Sequence, residues 1–315
     1  MEKKVLIAIC VAVCGLLCLP CVAQMQVGAS PDYIKALTSQ WEGDRLEDGR
    51  PYVPGRILER LKKISMEEAW GILRNEGYNN QYQGEWMIIN PDYPVMVGRV
   101  VTAQYMPLRQ DLADAIREQG LAEGRSKQGG TNSWPIDILV PGDVYVADSY
   151  GKIVDGTLIG DNLGNAIYSN SGNGVVFYGS VRDMQGLRSI EGFTGWILGH
   201  DPSYLAETML TSINKPVRIG RVTVLPGDIV LANEFGTVFI PAHLAENLVI
   251  RAEFIMLRDQ FGIQRLREGV YLPGQIDSRW SEEIRDDFLN WLDNYPGVLP
   301  MTREELDDFL RQRTW

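Results

Sequence analysis

The stretch that decides the fold prediction is residues 160–183, GDNLGNAIYSNSGNGVVFYGSVRD. Its first residues form a polar turn that leads into a helix, predicted over Leu163–Ser169, and the apolar run Gly174–Val181 predicts a buried strand. Twenty residues separate Asp161 from Arg182. That length fits one helix and one strand, so the start of the helix and the end of the strand should lie side by side. The stretch therefore predicts one helix–strand unit of an α/β protein.

The flanking sequence, from Trp86 to Leu248, has the pattern of a β-rich core. Short apolar runs are broken by Gly, Pro, Asn and Asp, as is typical of strands joined by turns. A polar, glycine-rich stretch, Gly120 to Ser133, predicts a mobile surface loop. Further strands are predicted at Val95–Tyr105, Asp143–Ala147, Gly195–Leu198, Val217–Ile219, Arg221–Leu225, Ile229–Asn233 and Thr237–Ile240, and further helices at Asp111–Gln119 and Gln185–Ser189.

Helical patterns lie on both sides of this core. Residues 30–77 carry apolar side chains at helical spacing, and Thr302 followed by Glu305 predicts a capping box at the start of a last helix. We expect the tail to be structural and to pack on the core or on a neighbouring subunit. One apolar stripe of the tail recurs every four residues, at Trp280, Ile284, Phe288 and Leu292.

The first residues have the pattern of a secretory signal peptide. Lys3 and Lys4 precede the apolar run Val5 to Leu19, and cleavage is expected between Ala23 and Gln24. A membrane anchor is the weaker alternative, because about 15 apolar residues fall short of the roughly 20 that span a bilayer. Lipoprotein cleavage is the other alternative. The cysteines all lie in this segment, at Cys10, Cys14, Cys18 and Cys21.

These patterns predict four parts: a signal peptide over 1–23, an N-terminal segment over 24–57, a core domain over 58–248 and a helical extension over 249–315. The exported chain would be periplasmic or secreted, without stable membrane insertion. It would have no disulfide and no thiolate nucleophile, so its stability would come from packing.

Composition excludes one large class of function. The chain has 41 acidic and 30 basic residues, a formal charge of -11, and is 45% hydrophobic. Those fractions are ordinary for a folded protein. Nucleic acid is not expected as a partner, because neutralising phosphates needs clustered Lys and Arg.

The familiar catalytic motifs are missing from the sequence. There are two histidines, His200 and His243, and no His-rich metal motif or Gly-x-Ser-x-Gly elbow. Gly172 and Gly174 lack the third glycine of a dinucleotide fingerprint. Carboxylates, arginines and backbone amides remain as candidate chemical groups.

One combination of these groups predicts a site. The turn Gly160–Leu163 should present the backbone N–H groups of Asn162 and Leu163 at a helix N-terminus, which suits a carboxylate. Arg182 offers a planar fork for the same group, and Asp183 offers a hard oxygen for Mg²⁺. The alternative is structural: Asp161 caps the helix, and Arg182 and Asp183 form a surface ion pair.

These residues and several framing motifs resemble the RraA-like family, which contains the regulator of ribonuclease E activity and the metal-dependent 4-hydroxy-4-methyl-2-oxoglutarate aldolases. The resemblance covers about Leu58 to Leu248. It rests on the turn at 160–163 and on Arg182-Asp183, together with Val97–Thr102, Pro141–Val144, Pro226–Ala232 and Gly236–Pro241.

The resemblance implies an α/β swivelling β/β/α fold that assembles as a homotrimer or hexamer. By position, Gly160, Asp161, Asn162 and Leu163 would form the substrate loop, and Arg182 would bind and act on the substrate. Asp183 would be the metal ligand, with Mg²⁺ as the expected cation, and Asp161 would hold water molecules on that metal and act in catalysis. The implied substrate is a small 2-oxo acid.

The sequence also departs from the family pattern. Gly186 stands where the aldolases usually carry an acidic residue, Gly71 falls near a common Asp, and Asn233 replaces another. Two functions therefore stay open. One is a metal-dependent lyase that cleaves a 2-oxo acid through a pyruvate enolate, with oxaloacetate decarboxylation as a related activity. The other is a non-catalytic binding, regulatory or scaffold protein that uses the helical tail as an interaction surface.

Overall fold

A computed structural model describes residues 25–312. The predicted signal peptide, its cleavage position and all four cysteines lie outside these residues. Within residues 25–312, no helix is long and apolar enough to cross a membrane.

Three short helices open the described chain: α1 (Pro31–Leu37), α2 (Gly55–Leu61) and α3 (Met66–Asn75). The prediction of helix throughout 30–77 is therefore wrong between α1 and α2. Pro51 and Pro54 cannot continue a helix, and Gly49 adopts a φ of 91°, so this segment forms turns. The apolar positions of α2 and α3, including Leu61 and Leu73, are buried as their spacing predicts.

The core is a mixed sheet of nine strands in the order β1-β11-β10-β3-β4-β5-β6-β2, with β7 paired to the far half of β3. A two-stranded hairpin, β8–β9, packs beside it. The strands are β1 (Tyr82–Gln83), β2 (Met87–Ile88), β3 (Met96–Pro107), β4 (Asp143–Asp148), β5 (Val175–Val181), β6 (Gly195–His200), β7 (Thr208–Ile213), β8 (Val217–Ile219), β9 (Val222–Val224), β10 (Ile229–Asn233) and β11 (Gly236–Ile240).

The centre of the sheet is parallel, because β3, β4, β5 and β6 run in the same direction. Their carboxyl ends therefore meet at one edge of the sheet. Strand β7 was not predicted. Its burial does not alternate along the strand, since Thr208, Met209 and Leu210 are all buried in succession, so the strand lacks the period of two that sequence reasoning seeks.

Four helices cover one face of the parallel strands: α4 (Gln110–Ala122), α5 (Trp134–Asp137), α6 (Asp161–Ser171) and α7 (Met184–Arg188). The predicted mobile loop at 120–133 is wrong at its start. Helix α4 continues to Ala122, and Gly120 is buried against Trp134, whose ring atoms would lie 2.3 Å from an added Cβ. Trp134 also donates its indole N–H to the Ser126 carbonyl at 3.0 Å. A single ring thus fixes this segment to the core.

The tail folds onto the same chain through α8 (Ala245–Arg267), which packs against α2 and α3. It continues as α9 (Pro273–Ile276), α10 (Glu282–Asp293) and α11 (Arg303–Gln312). Phe288 of the predicted stripe lies 5.3 Å from Phe261, ring centre to ring centre. Thr302 and Glu305 form the predicted reciprocal cap. Arg60 of α2 binds both Glu253 of α8 and Glu305 of α11.

Candidate functional site

The candidate site lies where β5 ends and α6 begins. Helix α6 follows β4 and precedes β5 in the chain, and it runs back along the sheet. Its first residue therefore lies at the edge of the sheet where β5 ends. Two backbone hydrogen bonds fix this approach: Leu158 donates to the Ser180 carbonyl, and Arg182 donates to the Ile159 carbonyl, both at 2.9 Å. The sequence prediction that Asp161 and Arg182 meet at one edge is confirmed.

Two glycines leave room for the carboxylates of Asp161 and Asp183 to lie close to the main chain of another residue. A Cβ added to Gly160 would lie 2.2 Å from Asp183 Oδ2, and one added to Gly186 would lie 2.6 Å from Asp161 Oδ2. Asp183 itself holds a φ of 55°, a left-handed conformation that is uncommon for a residue with a side chain. The site therefore depends on both glycines as well as on the acids.

Arg182 has a carboxylate partner and an aromatic neighbour. Its Nη1 lies 3.2 Å from Asp183 Oδ2, and both side chains are 38% exposed. Its guanidinium carbon lies 5.6 Å from the centre of the Tyr204 ring. An ion pair this exposed contributes about 0–1 kcal/mol to stability, so it constrains the guanidinium only weakly. The remaining donors of Arg182 can therefore meet a ligand carboxylate.

The helix N-terminus differs in one respect from the prediction. The N–H of Asn162 is not free, because it donates to Asp161 Oδ1 at 2.8 Å. This bond arises because the Asp161 side chain folds back onto the next amide. In the described part of the chain the structure records no acceptor for the N–H of Leu163, so one of the two predicted donors remains.

Of the predicted site residues, Gly160, Asn162, Leu163 and Arg182 line a cleft of about 130 Å³, and Asp161 and Asp183 are not part of its lining. Sequence reasoning did not find Tyr204 or Asn132, which also line it. The loop that carries Tyr204 follows β6, the parallel strand next to β5, so its position at this edge could have been inferred. Asn132 comes from the segment read as a mobile loop and donates to the Leu158 carbonyl at 2.8 Å. The full lining is Asn132, Thr157, Leu158, Ile159, Gly160, Asn162, Leu163, Arg182, Tyr204 and Leu205.

The donor set fits a divalent cation held by few protein ligands. Within residues 25–312 no group of three or more His, Cys, Asp or Glu could hold a metal. Mg²⁺, however, usually keeps several water molecules and binds one or two carboxylates. Asp183 supplies such a carboxylate, partly exposed beside the cleft, and the missing Cβ of Gly160 leaves the space that its oxygen occupies.

The three departures from the family pattern have different structural settings. At Gly186 a side chain would collide with Asp161, so an acidic residue there would require another Asp161 conformation. A Cβ added to Gly71 would contact nothing within 4 Å. Asn233 accepts the Phe235 N–H at 2.9 Å in a turn, a role that Asp could also fill. Of these departures, Gly186 is the one that contacts a predicted site residue.

Comparison with known proteins gives relatives of several kinds. The chain is 29% identical over 170 residues to Protein DlpA of Legionella pneumophila, covering 52% of this chain and 24% of that protein. It is 32% identical over 101 residues to 4-hydroxy-4-methyl-2-oxoglutarate aldolase of Thermus thermophilus, covering 32% of this chain and 60% of that one. The chain thus spans less than two thirds of the length of these relatives.

A solved structure shows the same fold. The crystal structure of Streptomyces coelicolor RraAS2, an unusual member of the RNase ES inhibitor RraA protein family, is 27% identical with a TM-score of 0.58, and the match covers 68% of this chain and 100% of that one. A family model described as "RraA-like: Aldolase/RraA" matches residues 66–239, more than half of the chain. The chain belongs to the RraA-like family, and its swivelling α/β core carries a helical C-terminal region.

Proposed function

We propose that this protein is a divalent-metal-dependent lyase that cleaves a small 2-oxo acid to release pyruvate. The observation that carries the proposal is the position of Arg182. Its guanidinium lines a cleft between a helix N-terminus and the Asp183 carboxylate. An anion receptor beside a hard oxygen ligand suits a substrate that has a carboxylate next to a keto group.

Arg182 would bind the substrate carboxylate, with the Leu163 N–H as a second donor. Tyr204, against whose ring the guanidinium rests, would limit the angles that Arg182 can adopt. This contact presents the planar fork to the cleft, and a fixed donor loses less entropy when it binds.

Asp183 would hold the cation, and Asp161, through a water molecule, would take the proton of the C4 hydroxyl. The C3–C4 bond then breaks, its electron pair moves toward the keto carbon, and the resulting enolate is stabilised by Arg182. Protonation at C3 yields pyruvate, and the carbonyl fragment leaves. A bound divalent cation would supply a Lewis acid for the charge on the keto oxygen. Loss of CO₂ from oxaloacetate would use the same enolate.

The proposal is tested by incubating the protein, with Mg²⁺ and with a chelator, with oxaloacetate and several 4-hydroxy-2-oxo acids. Pyruvate released is measured by a coupled dehydrogenase reaction. We expect release from at least one substrate that requires Mg²⁺. Release of no pyruvate from any of them would reject the lyase function.

A second candidate is a non-catalytic binding protein. The observation that favours it is the direct ion pair between Arg182 and Asp183, in which each charge already has a partner. In that case Asp161 caps α6 and the tail surface would contact another macromolecule. The same pyruvate assay separates the two candidates, because a binding protein would release none.

We also propose, from the family resemblance, that the chain assembles as a trimer or hexamer, and, from the signal-peptide pattern of residues 1–23, that it is exported. Neither property follows from the described residues alone. Light scattering at micromolar concentration measures the assembly, and a clean monomer would contradict it.

A further inference from the structure

Two copies of the same turn place a buried aspartate in different environments. Pro141–Asp143 and Pro226–Asp228 share the sequence Pro-Gly-Asp. In each turn the carboxylate accepts the N–H of the residue three positions earlier, from Val140 at 3.0 Å and from Leu225 at 2.8 Å. Both aspartates are more than nine tenths buried.

The two carboxyl groups differ in their remaining partners. Asp143 meets Arg50 at 2.8 Å and Arg99 at 3.4 Å, so its charge is balanced. For the Asp228 side chain the described residues provide one hydrogen bond, from the Leu225 N–H, and no cation. An unpaired buried carboxyl is costly unless a partner or a proton neutralises it. Asp228 therefore lacks the counter-ion that its counterpart has.

Asp228 lines a cavity of about 310 Å³ between the N-terminal segment and the sheet. Trp41 and Tyr78 give it aromatic walls. His243 lies in the same wall, with its Nε2 3.2 Å from the Tyr78 hydroxyl, and burial lowers its pKa, so the ring is neutral at pH 7. None of the described residues that line this cavity is Lys or Arg.

An adjoining hollow of about 450 Å³ shares Trp41 and His243 with this cavity and adds acidic residues. Of its charged residues, Arg56 pairs with Glu246 at 2.7 Å, whereas Glu42 and Asp44 have no ion pair among the described residues. The adjoining hollow therefore carries more negative than positive side chains.

Arg45 does not neutralise the cavity, although it bonds the same segment. Its guanidinium donates to the Thr38 hydroxyl and to the backbone carbonyls of Thr38, Trp41 and Gly49, at 2.8–3.1 Å. Those bonds hold the wall in place, and among the described residues Arg45 forms no ion pair with Asp228.

We propose that this cavity is a second ligand site, which binds a small organic cation, an ammonium group on an apolar body, with Asp228 as its counter-ion. The aromatic rings of Trp41 and Tyr78 would contact the apolar body of the ligand and the edge of its ammonium group. No residue lines both this cavity and the Arg182 cleft, so the site is separate from the proposed lyase site. Burial raises the pKa of Asp228 to about 7, as expected for a buried carboxyl group that has no cation beside it.

Calorimetric titration at about pH 8, where most of Asp228 is ionised, tests the proposal with two probes of similar shape, benzylamine and benzyl alcohol. The protonated amine should bind at least about tenfold more tightly than the alcohol. Asp228→Asn keeps an oxygen acceptor for the Leu225 N–H, and this variant should lose the preference. Asp183→Asn, the same substitution at the other cleft, should leave amine binding unchanged.

A second variant tests the same cavity without substituting Asp228, in case Asp228→Asn does not fold. Ser39 is exposed at the cavity wall and makes no hydrogen bond with the other described residues, so Ser39→Trp should not unfold the chain. The indole should block the cavity and weaken amine binding by at least about tenfold. Equal affinity for the two probes, absence of binding by both, or amine binding that survives both Asp228→Asn and Ser39→Trp would overturn the proposal. Loss of amine binding in Asp183→Asn instead would assign the amine to the other cleft.

Discussion

Replacing Gly160 with alanine adds one methyl group at the point where the candidate site is tightest. The new Cβ would lie 2.2 Å from Asp183 Oδ2, whereas real contacts of this kind stay beyond 3.0 Å. The carboxylate must therefore move by at least about 0.8 Å. The backbone can accept the change, because Gly160 has a φ of −119°, which any residue adopts.

The expected effect on folding is small and the effect on activity large. The displaced carboxylate loses its 3.2 Å contact with Arg182, and a pair exposed to this extent stabilises the fold by about 0–1 kcal/mol. A misplacement of about 1 Å at a reacting centre can reduce a rate by about a hundredfold. Gly160→Ala should therefore lower Mg²⁺-dependent pyruvate release by tenfold to a hundredfold, by order of magnitude, at nearly unchanged Tm.

Gly71→Ala is the matched control. A Cβ at this position in α3 contacts nothing within 4 Å. Removing a glycine from a helix interior should stabilise the fold by about 0.5–1 kcal/mol and leave the rate alone. Both variants are compared by thermal unfolding and by the pyruvate assay at several Mg²⁺ concentrations. A Gly160→Ala enzyme with wild-type rate and wild-type Mg²⁺ dependence would refute the assignment of Asp183.

Three further substitutions and one mass measurement extend the account. Arg182→Lys keeps the charge but loses the fork, and should reduce kcat/KM by an amount equivalent to about 2–4 kcal/mol while Tm stays constant. Phe288→Ala removes a fully buried ring from the tail and should lower the free energy of unfolding by about 3–5 kcal/mol in denaturant titration. Burial raises the pKa of Asp228 to about 7, above its value in the unfolded chain, so the stability that its protonated form contributes is present at low pH and is lost as the pH rises through 7. The free energy of unfolding of the wild type should therefore fall between about pH 4 and 8, and Asp228→Asn should flatten that fall. Intact mass of the protein from its native host should correspond to a chain that starts at Gln24, and a retained Met1 would contradict export.

The helix–strand unit could be predicted because its length leaves little choice of geometry. A helix and a strand between Asp161 and Arg182 must return the chain to the same edge, and the structure confirms that the two residues meet there. The carboxylate positions could not be predicted. They depend on two close approaches between residues that are distant in sequence. Gly160 lies against Asp183, more than twenty residues later, and Gly186 lies against Asp161, twenty-five residues earlier.

Residues supplied by loops were the other omission. Tyr204 lies in a loop that Ser203 fastens: its hydroxyl accepts the Asp155 N–H, and its carbonyl accepts the Thr157 hydroxyl, both at 2.6 Å. Such bonds link distant parts of the chain, so no local pattern reveals them. The packing of the tail on α2 also depends on distant contacts, of which the Arg60–Glu253 pair is one.

The unequal aspartates of the two Pro-Gly-Asp turns show a further limit of sequence reasoning. Both segments begin with Pro-Gly-Asp, and in both the aspartate carboxylate accepts the N–H of the residue three positions earlier. Whether a carboxylate has a cation nearby depends on Arg50, which comes from the N-terminal segment and reaches one of the two turns. The same Pro-Gly-Asp turn therefore has different electrostatic environments at its two positions.

The most direct test of the central claim compares wild type with Asp183→Ala in a Mg²⁺ titration of pyruvate release, using the best substrate of the 2-oxo acid panel. We expect the wild-type rate to rise with Mg²⁺ to saturation and the variant to stay near background at every concentration, with the fold destabilised by no more than the roughly 1–2 kcal/mol that a left-handed φ costs alanine at this position. A variant that retains a Mg²⁺-dependent rate close to that of the wild type would contradict the claim that Asp183 holds the metal.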